Sequence, residues 1–213
     1  MDTVTHCPLC SGRGQFFYKN KNSLFYKCDI CCAIFLDRPF LPDIEDEKSR
    51  YHKHNNNAND PGYQKFVNPI VSNIVGDFST RHKGLDFGAG SDSAVSKLLK
   101  ERNFQIEQYD PLFHAFPELL EKKYDYIACC EVVEHFHHPN KEFAMLKKLL
   151  LPGGKLYCMT AVYNEETDFN TWYYKNDLTH VFFYHRKTFE WIKKEFGFFH
   201  LDMDNNLIIL AVN

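Results

Sequence analysis

Apolar side chains recur along much of the chain at the spacing of helices. Between residues 63 and 78 they return every three or four positions, which predicts an amphipathic helix. Pro69 lies inside this stretch, so we expect either one kinked helix or two pieces, the second capped by Asn68. The helix predicted over residues 188–196 ends at Gly197, a residue type suited to helix ends. The same spacing predicts two more helices, over residues 94–99 and 140–150.

Short, nearly continuous apolar runs lie between these helical stretches and are typical of strands buried on both faces. They cover residues 84–87, 104–109, 124–130 and 155–160. Residues 199–203 and 207–212 flank Asn205 and Asn206, which predicts a terminal antiparallel hairpin. Because strands and helices alternate, we predict a three-layer α/β fold, doubly wound, with a mostly parallel sheet and an antiparallel strand at its C-terminal end.

The first 60 residues differ in composition from the rest of the chain. Residues 1–38 contain five of the eight cysteines together with several aromatic side chains. Residues 39–60 contain two prolines, an acidic run and an asparagine tract, which predicts a linker. We therefore expect a small cysteine-rich unit at residues 1–38, a linker at 39–60 and the α/β domain at 61–213.

Charge and hydropathy add few constraints. The 213 residues carry a formal net charge of −3, which gives no general reason to expect a polyanionic partner. No apolar run approaches the roughly 20 residues needed to cross a bilayer, and the start of the sequence lacks the pattern of a secretion signal. We expect a cytoplasmic protein with no membrane contact.

Two pairs of cysteines have the spacing of a zinc site. Cys7 and Cys10 form one CxxC pair, and Cys28 and Cys31 form the second. Each pair can present two thiolates to one tetrahedral ion, so the spacing predicts a structural Zn²⁺ that stabilises a small β ribbon. The alternatives are a redox pair and reduced thiols on an unfolded arm, and Cys32 is expected to be a spectator. A zinc ribbon can also bind nucleic acid, but its basic set is modest, and a solvated face is the alternative; the set is Arg13, Lys19, Lys21 and Lys27.

A glycine-containing loop follows the first predicted strand of the domain. Gly88 and Gly90 permit positive φ and a close approach of backbone to a ligand, and the next helix begins with free N–H groups. Ser93 replaces the third glycine of the dinucleotide-binding pattern, while Asp86 and Asp92 would repel a pyrophosphate. These acids suit a cofactor with an ammonium and a sulfonium group, which favours S-adenosylmethionine (SAM) over NAD. The alternative role for Asp86 is structural, as an acceptor for loop N–H groups.

Asp110 lies at the end of the second predicted strand. An acid at this position can hydrogen-bond the hydroxyls of a ribose. The alternative is a turn residue that precedes Pro111.

A third motif follows the strand over residues 124–130. It reads Glu131-Val132-Val133-Glu134-His135, and Leu151-Pro152-Gly153-Gly154 precedes the next strand. Together with the glycine loop and Asp110, these motifs resemble the class I SAM-dependent methyltransferase superfamily, in its broad methyltransferase-domain branch, over roughly residues 60–213. The resemblance implies a Rossmann-like fold and a methyl-transfer activity.

The resemblance also implies contacts with SAM. The methionine part would lie against Asp86, Gly88, Ala89 and Gly90, the ribose against Asp110 and Pro111, and the sulfonium against Glu131 and Val132. The sequence departs from the family pattern at Asp92, which stands where the last loop glycine is usual. The segment between Asp110 and Tyr124 is too short for the usual helix and third strand. The acid that commonly binds the adenine amine has no counterpart, which leaves Leu112 or Phe113 for that contact.

Methyl transfer often needs a base that removes a proton from the acceptor. Histidines occur in two candidate stretches, residues 51–55 and 172–184, and the second follows a parallel strand at the edge where substrates bind in this fold. We predict His180 as the base, with Tyr184 beside it and His135 facing the acceptor. The alternative is that His180 and His135 are structural histidines.

The sequence therefore predicts a methyltransferase that acts on a small or medium-sized acceptor and carries a structural zinc ribbon. Three alternatives remain: an RNA- or protein-directed methyltransferase that docks through its ribbon, an NAD-dependent oxidoreductase, and a non-catalytic cofactor-binding protein.

Overall fold

The computed structural model describes residues 5–53 and 57–213. The helices are α1 (Ile44–Lys53), α2 (Pro61–Asp77), α3 (Ala94–Glu101), α4 (Pro139–Leu149) and α5 (Arg186–Phe196). The strands are β1 (Gly14–Lys19), β2 (Leu24–Cys28), β3 (Ile34–Leu36), β4 (Lys83–Phe87), β5 (Gln105–Tyr109), β6 (Tyr124–Cys130), β7 (Leu150–Met159), β8 (Val162–Tyr163), β9 (Phe182–His185), β10 (His200–Asp204) and β11 (Leu207–Ala211). None of the helices in these ranges is long and apolar enough to span a bilayer.

A six-stranded sheet forms the centre of the α/β domain, in the order β10-β11-β7-β6-β4-β5. The pairs β5–β4, β4–β6 and β6–β7 are parallel, whereas β11 runs antiparallel to both β7 and β10. Apolar side chains of α2 and α3 pack on one face of the sheet, and those of α4 and α5 pack on the other. The predicted doubly wound fold, its parallel strands and its terminal hairpin are confirmed.

Helix α2 runs through Pro69 as one continuous helix. It begins after Asp60, whose carboxylate accepts a hydrogen bond from the backbone N–H of Tyr63 at 2.7 Å. Its buried side chains are Val67, Ile70, Val71 and Ile74, at the predicted spacing. The alternative of two helices with a cap at Asn68 is therefore wrong.

The sheet ends at β5 on one side, within the described residues. The chain between β5 and β6 forms a tight turn, in which Asp110 and His114 pair through their backbones, and a 3₁₀ turn at Pro117–Glu121. This segment contains no further strand, as its length predicted.

A second sheet joins the cysteine-rich unit to the α/β domain. Its order is β1-β2-β3-β9-β8, and we call β1, β2 and β3 the ribbon. Ile34 of the ribbon pairs antiparallel with Phe183 of β9. The hydroxyl of Thr188 donates to the backbone carbonyl of Cys31 at 2.8 Å, so α5 also holds the ribbon.

The predicted linker, residues 39–60, contains helix α1 and needs correction. The acidic run that indicated a solvated linker is the first turn of α1, where carboxylates interact favourably with the helix dipole. The carboxylate of Asp43 accepts a hydrogen bond from the backbone N–H of Asp46 at 2.9 Å. Within the predicted stretch 51–55, residues 54 and 55 lie outside the described residues.

Candidate active site

A cavity of about 1510 Å³ lies at the carboxyl ends of β4, β5 and β6, beneath α1. Typical pockets for one small molecule measure roughly 300–1,000 Å³, so this cavity has room for a cofactor and an acceptor together. Parallel sheets bind ligands at this edge, where the loops after neighbouring strands meet.

The loop after β4 approaches the cavity through two glycines. Gly88 has a φ of +77° and Gly90 a φ of +63°, the left-handed region that favours glycine. A Cβ atom on Gly88 would lie 2.5 Å from Cγ2 of Val132. The backbone N–H groups of Gly88 and Ala89 both donate to the carbonyl of Tyr109, at 2.8 and 3.1 Å, which ties this loop to the end of β5.

Asp110 connects the two loops. Its Oδ2 accepts a hydrogen bond from the N–H of Gly90 at 3.0 Å, and its Oδ1 accepts from the N–H groups of Leu112 and Phe113 at 2.8 and 3.1 Å. A carboxylate can accept about four hydrogen bonds, so Asp110 keeps capacity for a ligand hydroxyl. Asp110, Leu112 and Phe113 all line the cavity.

Two glutamates and a tyrosine form a buried cluster at the end of β6. The hydroxyl of Tyr174 lies 3.1 Å from Oε2 of Glu131 and also hydrogen-bonds Oε1 of Glu134. Burial raises the pKa of both glutamates, and for Glu134 the neighbouring charge of Glu131 raises it further. The hydroxyl has one proton to donate, so a protonated glutamate is needed for both contacts to be full hydrogen bonds.

His135 and His180 lie side by side on the cavity wall, with ring centroids 4.8 Å apart. The Nδ1 of His135 contacts the backbone carbonyl of Thr179 at 2.8 Å, and the Nδ1 of His180 contacts that of Tyr174 at 2.8 Å. A carbonyl only accepts hydrogen bonds, so each Nδ1 carries a proton and the neutral ring has its lone pair on Nε2. Nε2 of His180 is 4.0 Å from Oε1 of Glu134.

Helix α1 covers the cavity and is anchored by its polar side chains. Nε and Nη2 of Arg50 donate to Oδ2 of Asp177 at 3.0 and 2.6 Å. Burial acts to raise the pKa of Asp177, but hydrogen bonds from Arg50 and Thr179 outweigh it and hold that pKa well below its usual range. The ring of Tyr51 packs edge-on against His135 at 5.4 Å.

The cavity wall is acidic. Its described lining contains one arginine, Arg50, and no lysine. The carboxylates of the lining are Asp43, Glu45, Glu47, Asp110, Glu131, Glu142 and Asp177.

Four cysteine thiols converge in the ribbon, away from this cavity. Sγ of Cys7 is 3.7 Å from Sγ of Cys31, and Sγ of Cys10 is 3.2 Å from Sγ of Cys28. A tetrahedral ion with Zn–S bonds of about 2.3 Å holds its sulfurs about 3.8 Å apart, whereas a disulfide bond measures about 2.05 Å. All four sulfurs lie within 4.8 Å of one another, so this donor set fits one zinc ion.

A comparison with known families adds a decisive observation. The model of a family described as a methyltransferase domain matches residues 52–201, which is more than half of the chain. The chain belongs to this methyltransferase family. It is a class I, SAM-dependent methyltransferase with the Rossmann-like fold described above.

Solved structures of other methyltransferases share the fold. The 1,6-didemethyltoxoflavin-N1-methyltransferase of Burkholderia thailandensis, solved with bound 1,6-didemethyltoxoflavin and S-adenosylhomocysteine, is 14% identical to this chain. The match covers 92% of this chain and 97% of that one, with a TM-score of 0.58. A SAM-dependent methyltransferase from Archaeoglobus fulgidus is 16% identical. The match covers 70% of this chain and 94% of that one, with a TM-score of 0.54.

An O-methyltransferase family protein from Burkholderia thailandensis is 12% identical, with a TM-score of 0.53. The match covers 78% of this chain but spans only 61% of that protein. No curated protein matched the chain.

Most predicted site residues of the methyltransferase line the cavity described above. Those for the cofactor are Gly88, Ala89, Gly90, Asp110, Pro111, Glu131 and Val132. His135 and His180 lie on the same wall. The side chains of Tyr174, Arg50 and Asp177 also belong to the site; the sequence indicated the aromatic stretch around Tyr174 but carried no signal for the long-range pair of Arg50 and Asp177.

Two predicted residues of the methyltransferase lie elsewhere. Asp86 is buried beneath the loop, where its Oδ2 accepts hydrogen bonds from the hydroxyls of Ser93 and Ser96 at 2.5 and 2.6 Å. Asp86 does not line the cavity, so the predicted direct contact with the methionine part of SAM needs correction. The alternative, a structural role for Asp86, is favoured. Tyr184 is fully buried under α5, donates its hydroxyl to the carbonyl of Val133 at 2.8 Å, and is no candidate for catalysis.

Proposed function

We propose that this methyltransferase transfers the methyl group of SAM to an oxygen or nitrogen atom of a small or medium-sized acceptor without negative charge. The observation that carries the proposal is the lining of the cavity, with seven carboxylate residues against one arginine. An anionic acceptor, such as a nucleic acid, would be repelled by this wall, while a neutral or cationic acceptor and the cationic SAM are attracted.

The cofactor end of the cavity is formed by the loop of Gly88–Gly90 and by Asp110. SAM supplies a methyl group on a positively charged sulfur. The glycine loop leaves room for the amino-acid part, Asp110 accepts from a ribose hydroxyl, and Leu112 and Phe113 give apolar contacts for the base. Glu131 and Val132 form the wall on the side of the acceptor.

The acceptor end is formed by His135 and His180. Both Nδ1 atoms are held by backbone carbonyls. These contacts orient the rings and leave Nε2 as the basic nitrogen of each neutral ring. A fixed basic nitrogen at this wall can orient the acceptor and help to remove its proton. The ring of Tyr174 packs against that of His180, with their centroids 4.2 Å apart.

We also propose that Cys7, Cys10, Cys28 and Cys31 hold a structural Zn²⁺. The convergence of the four thiols, all within 4.8 Å of one another, supports it, because a bound ion adds its binding free energy to folding. In this proposal, residues 1–38 form a zinc ribbon that folds onto the methyltransferase domain at residues 61–213.

Calorimetry with S-adenosylhomocysteine tests the cofactor site. We expect micromolar binding, on the order of −7 to −8 kcal/mol. Asp110→Ala should lose at least about 1 kcal/mol, because it removes a ligand acceptor and three bonds that hold the loops. Asp204→Ala, in the exposed hairpin away from the cavity, is the matched control. An absence of binding by the wild type would overturn the proposed function.

Labelled SAM tests the acceptor class. Transfer of the labelled methyl group should occur with pools of neutral or cationic small molecules and be absent with pools of nucleotides and bulk RNA. Efficient labelling of RNA, with a steep salt dependence, would instead support a macromolecular acceptor.

A further inference from the structure

A second group of metal-ligating side chains, separate from the cysteines, lies at the wall formed by His135 and His180. Ligand atoms of Glu134, His135 and His180 all lie within 4.8 Å of one another. The separation of 4.0 Å between Nε2 of His180 and Oε1 of Glu134 is too long for a hydrogen bond, for which about 2.7–3.2 Å is usual. Two ligands at about 2.0–2.2 Å from one ion lie roughly 3–4 Å apart, so this spacing fits an ion between them.

From this geometry we propose that Glu134, His135 and His180 bind a divalent transition-metal ion at the acceptor end of the cavity. Two imidazoles and one carboxylate are a common set for catalytic Zn²⁺ and for other first-row divalent ions. Such sites keep positions open for a substrate. His135 and His180 line the cavity, so the open positions face the acceptor.

The surroundings of the three side chains match those of known metal ligands. A ligating histidine almost always donates its other ring N–H to a carbonyl or carboxylate, which fixes the tautomer and the ring. Here Nδ1 of His135 and Nδ1 of His180 each meet a backbone carbonyl at 2.8 Å. In its neutral form His180 therefore directs an unprotonated Nε2 toward Glu134, 4.0 Å from Oε1.

Glu134 supplies an independent observation. Its side chain is fully buried, and its Oε2 accepts no hydrogen bond from any residue in the described part of the chain. A buried carboxylate oxygen without a donor is costly unless it is paired or binds a metal ion. The acidic wall of the cavity adds attraction for a cation.

The inferred site deepens the proposed function and rests on it for the identity of the acceptor. An ion at this position would bind an acceptor through a hydroxyl or carbonyl oxygen, beside Glu131 and the cofactor. His135 and His180 would then act as ligands, and the ion would lower the pKa of the acceptor hydroxyl, in place of a histidine base.

Cobalt provides the probe, because its spectrum distinguishes nitrogen and oxygen ligands from thiolates. Co²⁺ is titrated into the full chain after its zinc content has been measured, with calorimetry and visible absorption as readouts. Zn²⁺ binds thiolates more tightly than Co²⁺ and should remain in the ribbon. We expect one Co²⁺ per chain beyond the zinc, with weak visible bands and no thiolate charge-transfer band.

Variants assign the site. His180→Gln and Glu134→Gln should each weaken Co²⁺ binding at least tenfold, whereas His138→Gln, an exposed histidine outside the cluster, should leave it unchanged. Binding of S-adenosylhomocysteine by the same samples shows that the variants are folded.

The proposed metal site is overturned if the wild type binds no Co²⁺ beyond the ribbon or if the two cluster variants bind it as tightly as the wild type. Retained binding of S-adenosylhomocysteine in that case leaves the proposed function intact. If none of the samples binds S-adenosylhomocysteine, the result contradicts the proposed function itself.

Discussion

At the scale of single residues, Gly88 brings the loop after β4 close to Val132 in the loop after β6. Its positive φ and the proximity of Val132 both exclude a side chain. Gly153 has nearly the same φ, +76°, but open space around it. A side chain at Gly153 would therefore meet backbone strain alone, whereas one at Gly88 would also meet Val132.

Gly88→Ala and Gly153→Ala should each cost about 1–2 kcal/mol of stability from left-handed backbone strain, measured by urea unfolding. Only Gly88→Ala should also weaken binding of S-adenosylhomocysteine, by at least tenfold, because its methyl group displaces Val132 from the cavity wall. Equal affinity of the two variants in calorimetry would contradict the assigned role of Gly88.

The cofactor residues were predictable because they follow strand ends that the local pattern reveals. Gly88, Asp110 and Glu131 come directly after β4, β5 and β6, and parallel strands bring their carboxyl ends together. Asp86 and Tyr184 were misplaced because both lie on strands or strand ends with two buried sides. The local sequence does not tell which way such a side chain points, and here one faces α3 and the other α5.

At the scale of elements, α1 is the part of the site that the sequence concealed. Its mean composition is polar, and its contacts with Asp177 and His135 come from far along the chain. Local periodicity cannot predict a helix whose position depends on such distant partners. The same limit applies to the pairing of β3 with β9, whereas α2, with a continuous apolar stripe, was predictable despite Pro69.

The pair of Arg50 and Asp177 gives α1 a defined pH dependence. The folded protein lowers the pKa of Asp177, so the stabilisation is present above the unfolded value of about 3.9 and is lost as the pH falls below it. The side chain of Arg50 is 41% exposed, so we expect only about 1 kcal/mol.

Asp177→Asn should therefore unfold at lower urea concentration than the wild type by a constant difference between pH 5 and 8. The difference should shrink below about pH 4, because Asp177 takes up a proton in the unfolded wild type before it does in the folded protein. Amide hydrogen exchange of α1 should be faster in the variant at pH 7. A difference that varied across pH 5–8 would show that another group controls this contact.

At the scale of the whole molecule, β9 connects the ribbon with the acceptor end of the site. β9 carries the pairing with β3, and His180 lies two residues before it. A substitution that disrupts the ribbon should therefore disturb the acceptor end of the site more than the cofactor end. The cofactor end is built on β4, β5 and β6.

Loss of the proposed zinc tests this coupling. Cys28→Ser should reduce the zinc content measured by elemental analysis and destabilise the protein by several kcal/mol, because about 10–16 kcal/mol of metal binding can contribute to folding. Methyl transfer should fall further than binding of S-adenosylhomocysteine. Cys32→Ser is the control, because Cys32 lies outside the cluster and should keep zinc content and stability. Equal effects of the two substitutions would argue against the four-cysteine site.

The pairing of β3 with β9 also determines the order in which the chain can assemble. During synthesis, Ile34 emerges long before its partner Phe183, and until then β3 presents an open edge that can pair wrongly. Contacts between such distant segments close slowly, since a long loop must first be ordered. The ribbon can fold early but can dock only after most of the α/β domain has been translated. Docking of the ribbon onto β9 is therefore a late event in biogenesis.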